Sequence, residues 1–282
     1  MAVTSNRSLP SDMQQILTIA RYDIFKHLRS KRLFGILIAE VVILALVLAI
    51  PPMVGQPYSD DPADFVRSVA IFTFTNIIII LGATLFAGDA IVSEFQGRTG
   101  YLLFPNPIRR SSIYLGKFLA TALIAILIVT IWYGVAIIAG LIMTGGVSGL
   151  ALQSYGLALL YALAAASVGY LVGTFMKGGT GALVLTFFLL FLIFPTVDQT
   201  VGMIAGIRPE PSITFQAGTI DYIFIDPYPV DSTQNIDLGQ GQNFTFYSLI
   251  PHVDMAVIVM LAYVVVCNAV AMWRFRTREM VG

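Results

Sequence analysis

Long apolar runs separated by short polar stretches dominate this chain, and their lengths set the first expectation. A membrane-spanning helix needs about 20 predominantly apolar residues. Six runs meet or approach that length: Leu33–Ile50, Phe65–Ile91, Phe118–Ile142, Leu152–Phe175, Gly181–Val197 and Met255–Trp273. The second is long enough to tilt. Residues 1–10 are polar, and from Ser11 to Arg29 the pattern becomes helical. Met13, Leu17, Ala20, Ile24 and Leu28 fall on one stripe, which Ile16 and Phe25 widen, with Arg21 and Lys26 outside it. This spacing predicts an amphipathic helix lying in the membrane interface, the alternative being an extension of the first span.

Residues 198–250 form the one sizeable piece outside the apolar runs. Ile213-Thr-Phe, Tyr222-Ile-Phe-Ile and Phe244-Thr-Phe-Tyr read as strands, punctuated by Pro211, Pro227, Pro229 and several glycines. Val201–Ile207 is apolar but too short to span, and reads as a short interfacial or re-entrant helix. Asn243-Phe-Thr245 matches a glycosylation sequon. The expected fold is an all-α membrane protein. It has six transmembrane helices, an N-terminal amphipathic helix, and a small, partly β-like outer segment between helices five and six.

Composition strengthens the membrane assignment. Hydrophobic residues make up 57% and charged residues 11%, against about 25% charged in a soluble domain. The formal net charge is zero, so bulk charge gives no sign of a nucleic-acid partner, and the placement of the charges matters more. Arg21, Lys26, Arg29, Lys31 and Arg32 precede the first span, while Arg98, Arg109, Arg110 and Lys117 lie between the second and third. Lys177 lies between the fourth and fifth, and Arg274, Arg276 and Arg278 follow the sixth. Six spans put all of these on one side, which the positive-inside rule makes cytoplasmic. The other side carries Asp60, Asp61, Asp64 and the acids of 198–250, with Arg67 and Arg208 its only basic residues.

The expected organisation follows. Residues 1–32 are a cytoplasmic tail and amphipathic helix, and 33–197 hold five spans with a cytoplasmic loop at 94–117. Residues 198–250 are extracytoplasmic, and 251–282 form the sixth span and a cytoplasmic tail. The chain is expected to be multi-pass in the cell membrane with both termini cytoplasmic. No secretory signal is evident.

Catalytic chemistry is not indicated. The two histidines, His27 and His252, are predicted on opposite sides of the membrane, and Cys267 is the sole cysteine. There is no His-Glu-x-x-His pair, no cysteine cluster for a metal and no P-loop, so no catalytic or metal site is expected and ATP would have to bind another chain. Several charged and small residues still need a role. Glu40 sits near the middle of the first span, where an ionisable group is costly and faces a bundle interior or wet cavity. It reads either as a pathway or gating group, or as a carboxyl that is protonated or hydrogen-bonded to a neighbouring span. Asn76 is the polar residue of most similar depth. Asp89 and Glu94 close the second span and are placed to pair with Arg98, Arg109, Arg110 or Lys117, or to remain solvated. Asp254 suits the N-terminus of the sixth helix. Ala165, Gly169 and Gly173, four residues apart, predict close helix packing, within one subunit or against a second.

The segment Glu94…Gly97-Arg98-Thr99…Leu102-Leu103…Pro105…Pro107-Ile108-Arg109-Arg110…Gly116-Lys117 resembles the loop signature of type-2 ABC exporter permeases. Two departures stand out: Arg98 is inserted between Gly97 and Thr99, and Pro107-Ile108-Arg109-Arg110 stands where Pro-Ile-Ser-Arg is more typical. The layout of the whole chain is also similar to that family. The resemblance implies two permease subunits with two cytoplasmic ATPase subunits beneath them, ATP and Mg being held by the ATPase and no cofactor by this chain. Glu94, Gly97, Arg98, Thr99, Pro105, Pro107, Arg109, Arg110 and Lys117 would then belong to the coupling loop that docks on the ATPase. Arg21, Lys26 and Arg29 would give the amphipathic helix a second contact, and Glu40 would be the pathway or gating candidate. Two other readings remain open on the residues alone. One is an ion-coupled secondary transporter using Glu40 and Asp89, and the other is a membrane scaffold that recruits a soluble partner.

Overall fold

The structure, a computed structural model, describes residues 11–73, 75–92, 109–237 and 243–277. Helix α1 (Asp12–Leu28) begins at Ser11, whose hydroxyl accepts from the Gln14 N–H while the Gln14 side chain accepts from the Ser11 N–H. This reciprocal capping box satisfies two amides that a helix start leaves unpaired. The chain breaks at Arg29 and Ser30. Ser30 then caps α2 (Lys31–Met53) by accepting from the Leu33 N–H at 3.2 Å. The amphipathic helix is therefore separate from the first span and not its extension.

The second apolar run forms two helices, α3 (Pro62–Thr73) and α4 (Thr75–Ala87), bent by 53°. A single continuous span was expected over Phe65–Ile91. Hydroxyl groups supply a reason for the difference. Thr73 Oγ1 donates to the carbonyl of Val69 at 2.7 Å, and Thr75 Oγ1 donates to that of Ala70 at 3.2 Å. Back-bonding of this kind bends helices. Trp132 Nε1 then donates to Thr73 Oγ1 at 3.1 Å, tying the bend to the next helix.

Helix α5 (Arg110–Thr144) starts eight residues before the expected third span and ends at Gly145, whose φ of 75° stops it. Helix α6 (Gly149–Phe175) is the most enclosed of the spans. Helix α7 (Gly179–Ile204) is longer than the expected Gly181–Val197 and absorbs most of the run expected as a separate short helix. It carries wider π turns at Leu189–Ile193 and Thr200–Ile204. Pro195 follows the first of these; proline lacks an N–H and crowds the preceding turn, which a wider turn relieves.

Beyond α7 come two short helical turns, α8 (Ile213–Gln216) and α9 (Thr219–Tyr222), then an antiparallel hairpin. Strands β1 (Ser232–Asp237) and β2 (Asn243–Ser248) pair with Ser232 opposite Ser248. Of the three expected strands, the one at Ile213 is helical, the one at Tyr222 is the end of α9 followed by a turn, and only the Phe244 run is extended. Helix α10 (Val253–Thr277) returns through the bundle, with Asp254 in its first turn. Five single helices and the bent pair α3–α4 are long and apolar enough to give six crossings.

Buried polar groups stitch the spans together. Tyr114 donates to Asn268 Oδ1 at 2.7 Å, and Asn268 Nδ2 donates to Ser167 Oγ at 2.8 Å, joining α5, α10 and α6. Tyr133 shares a 2.7 Å hydrogen bond with Ser154, which donates to the carbonyl of Ile220 in α9. The small-residue stripe of α6 faces the end of α4 in the same chain. A Cβ on Gly169 would lie 2.8 Å from Cβ of Ala87, and one on Gly173 would lie 3.0 Å from the carbonyl oxygen of Gly88. The stripe is therefore an internal packing face. Gly169→Val is expected to lower stability by about 2 kcal/mol through overpacking. Gly134→Ala, where a Cβ meets nothing within 4 Å, is expected to leave stability unchanged or raise it. Thermal unfolding of the detergent-solubilised protein checks both.

Candidate functional site

The basic residues gather at one end of the bundle, where α1 lies along the first turns of α5. The contact is unusually close at Gly116. A Cβ there would sit 2.8 Å from the carbonyl oxygen of Ile16 and 2.8 Å from Cβ of Ile19. Glycine is what lets the two backbones approach. Consequently α1 turns Ala20 inward, while Met13, Leu17, Tyr22, Phe25 and Leu28 remain exposed and apolar. Such a face suits an interfacial helix.

Two ion pairs bracket Gly116. Lys117 Nζ lies 2.9 Å from Asp23 Oδ2, with side chains only 5% and 16% exposed. Arg109, the N-cap residue of α5, lies 2.7 Å from Asp12. That second pair is open to solvent and contributes little on its own. The partly buried Lys117–Asp23 pair is different, because removing one partner strands the other charge. A third pair joins α2 to the end of the second span: Arg32 Nη1 is 2.6 Å from Asp89 Oδ2. Arg110 donates to the carbonyl of Arg276 at 3.0 Å, and Arg274 lies over the Phe175 ring, so the end of α10 is held at the same end of the bundle.

The expected pairing of Asp89 with Arg109, Arg110 or Lys117 is thus corrected. Asp89 takes Arg32 from α2, while Arg109 and Lys117 take their acids from α1. The reason is proximity: α1 lies along the head of α5, which brings Asp12 and Asp23 within ion-pair distance of Arg109 and Lys117. Asp12 and Asp23, not singled out from the sequence, supply those acids. Their separation of three helical turns places both on one face of α1, and that signal was available in the sequence.

The remaining residues fall as follows. Arg110 and Lys117 lie in the first two turns of α5, not in a loop. Arg21 on α1 and Arg29 at its C-terminal cap are exposed, Arg21 lying over the Phe25 ring. Lys26 lines a cavity of about 320 Å³ with Asp23, His27, Ser30, Arg32, Asp89 and Lys117. Glu40 is remote from all of these, 1% exposed, and neither carboxyl oxygen has a hydrogen-bond partner among the described residues. Asn76 does not reach it; its Nδ2 donates to Asp221 at 3.4 Å. Glu94, Gly97, Arg98, Thr99, Pro105 and Pro107 lie outside the described residues. Among the described residues no group of three His, Cys, Asp or Glu side chains is placed to hold a metal.

His27 packs edge-on against Phe86, and burial pushes its imidazole below the ordinary value near 6.5, with Asp23 opposing. The native ring therefore binds fewer protons than the unfolded chain just below pH 6.5, and stability falls as the pH drops through that value.

Fold and site together define a multi-pass, all-α membrane protein whose amphipathic first helix is clamped to the head of its third span. It belongs to the ABC-2 family of transporters: residues 17–280 match the family described as ABC-2 family transporter protein. Two curated relatives carry the name probable ABC transporter permease protein NosY. The one from Stutzerimonas stutzeri is 34% identical over 137 residues, covering 48% of this chain and 49% of the relative. The one from Pseudomonas aeruginosa is 33% identical over 129 residues, covering 45% and 46%. The matched region thus spans about half the length of each.

Two outcomes test the clamp. Lys117→Met is expected to cost about 3 kcal/mol by stranding Asp23, with much of the loss recovered in Lys117→Met/Asp23→Leu; thermal melts of the three proteins measure it. Acidification from pH 7 to 5.5 is expected to lower the melting temperature, by less in His27→Phe than in the parent.

Proposed function

We propose that this chain is the permease subunit of an ATP-driven exporter, working as a dimer with a separate ATPase that holds ATP and Mg. The family membership supports the transporter class. The observation that carries the coupling mechanism is the α1–α5 clamp. Gly116 brings the backbones together and Lys117–Asp23 locks them, so a push on α1 or on the segment entering α5 is delivered to a 35-residue helix crossing the whole bundle. In this reading the basic end is cytoplasmic, in the cell membrane with both termini inside. The ATPase contacts α1 through Arg21, Lys26 and Arg29, and the 94–108 segment with Arg109 and Arg110. ATP-driven closure of the ATPase pair then moves α5 against its neighbours, and the chain itself makes and breaks no bonds.

A second reading is favoured by one observation, the buried carboxyl of Glu40, which has no partner among the described residues. An ion-coupled transporter would use such a group as its proton or ion site.

Purification of the tagged chain from native membranes tests the first reading. An ATPase is expected to accompany the parent and to be lost from Arg109→Glu/Arg110→Glu; an ATPase in neither preparation sinks it. Glu40→Gln separates the two readings in transport assays. ATP-dependent transport survives it under the exporter reading, whereas gradient-driven transport disappears under the other.

A further inference from the structure

The cavity between α1, α2, α4 and α5 has binding capacity that the clamp does not use. Its Lys26 ammonium makes no hydrogen bond or ion pair among the described residues. Arg32 uses Nη1 on Asp89 and the Leu85 carbonyl, and a guanidinium has five N–H donors, so its remaining edge has no partner among the described residues. The His27 ring lines the same space and makes no side-chain hydrogen bond among the described residues. Acceptors line the same space. Asp89 and Asp23 each commit Oδ2 to a cation, and Oδ1 of each has no partner among the described residues.

A site with only free cations would suit a simple anion. This one offers unused groups of both signs within about 320 Å³. The complementary ligand carries a phosphate and, a few ångströms away, a group that donates N–H bonds. The surroundings add an apolar track. Ala39 and Ile43 lie seven and eleven residues above Arg32, on the same face of α2, and both are exposed; Leu81 is exposed one turn above Leu85 on α4. The exposed apolar side chains of α1 place this end of the molecule at a lipid surface.

We propose that this cavity binds the head group of a membrane phospholipid carrying both a phosphate and a primary ammonium. The phosphate lies against Lys26, the free edge of Arg32 and His27. The ammonium donates to Asp23 and Asp89, and an acyl chain runs along Ala39, Ile43 and Leu81. A quaternary ammonium has no N–H to donate, and a glycerol head group brings no positive charge to the two carboxylates. The site therefore discriminates among head groups. This inference does not depend on the exporter reading, since it needs neither an ATPase nor transport.

The full chain is reconstituted with vesicles of phosphatidylethanolamine, phosphatidylcholine and phosphatidylglycerol in equal parts, and retained lipid is measured by native mass spectrometry after detergent extraction. One phosphatidylethanolamine is expected to be retained in preference to the other two. Lys26→Ala is expected to reduce that retention about fivefold, while Lys31→Ala, at an exposed residue that does not line the cavity, leaves it unchanged. Lys26 has no structural partner to lose, so a folding defect does not confuse the result; an unchanged melting temperature confirms this. Equal retention of all three lipids overturns the proposal, as does retention insensitive to Lys26→Ala. Binding of soluble phosphoethanolamine with no retained lipid also overturns it, by assigning the site to the free head group.

Discussion

A polar atom inside a bundle surrounded by hydrocarbon has no water to turn to, and that constraint arranges this protein. Each span satisfies its own backbone by being helical. The side chains then have to find one another across helices, and most do. Tyr114, Asn268 and Ser167 tie three spans at one level, while Tyr133, Ser154 and the Ile220 carbonyl tie the bundle to the segment between α7 and α10 at another. Trp132 and the two threonines at the α3–α4 bend obey the same rule. Among the described residues Asn76 Oδ1, Thr84 Oγ1 and Gln216 Oε1 are left without a partner, and Glu40 is the case in which both oxygens of a buried carboxyl are unsatisfied. A group that costly is where two functional readings of the molecule divide.

The same constraint explains which features were legible in the sequence. Six crossings could be read because hydrocarbon demands long apolar runs, and the amphipathic helix because a 3.6-residue period survives in any context. The bend between α3 and α4 was hidden, because Thr73 and Thr75 look like ordinary β-branched span residues until Trp132, 59 positions later, comes to lie beside them. The strands expected at Ile213 and Tyr222 failed for a similar reason. Short β-branched and aromatic runs are ambiguous between strand and helix. Here the Asp198 carboxylate, from α7, accepts from the hydroxyls of Ser212 and Thr214 and holds the start of α8 in place.

At the basic end the sequence revealed the cations but not their partners. Lys117 and Arg109 were visible as a cluster near a polar loop. Which acids they meet depends on how closely α1 can lie against α5, and that rests on a single absent side chain at Gly116. The family resemblance marked Gly116-Lys117 as a motif. The structure gives the pair a physical meaning: the glycine permits the approach and the lysine fastens it.

The clamp also has a history within each molecule's synthesis. Asp12 and Asp23 meet partners 97 and 94 residues further along the chain. At ribosomal speeds of about 5–20 residues per second, α1 is finished roughly 5–20 seconds before the head of α5 exists. Throughout that interval its carboxylates have no lysine or arginine of α5 to meet. The side that stays outward in the finished fold, bearing Met13, Leu17, Tyr22 and Phe25, is also the side that can hold the nascent helix on the bilayer surface until its partner arrives.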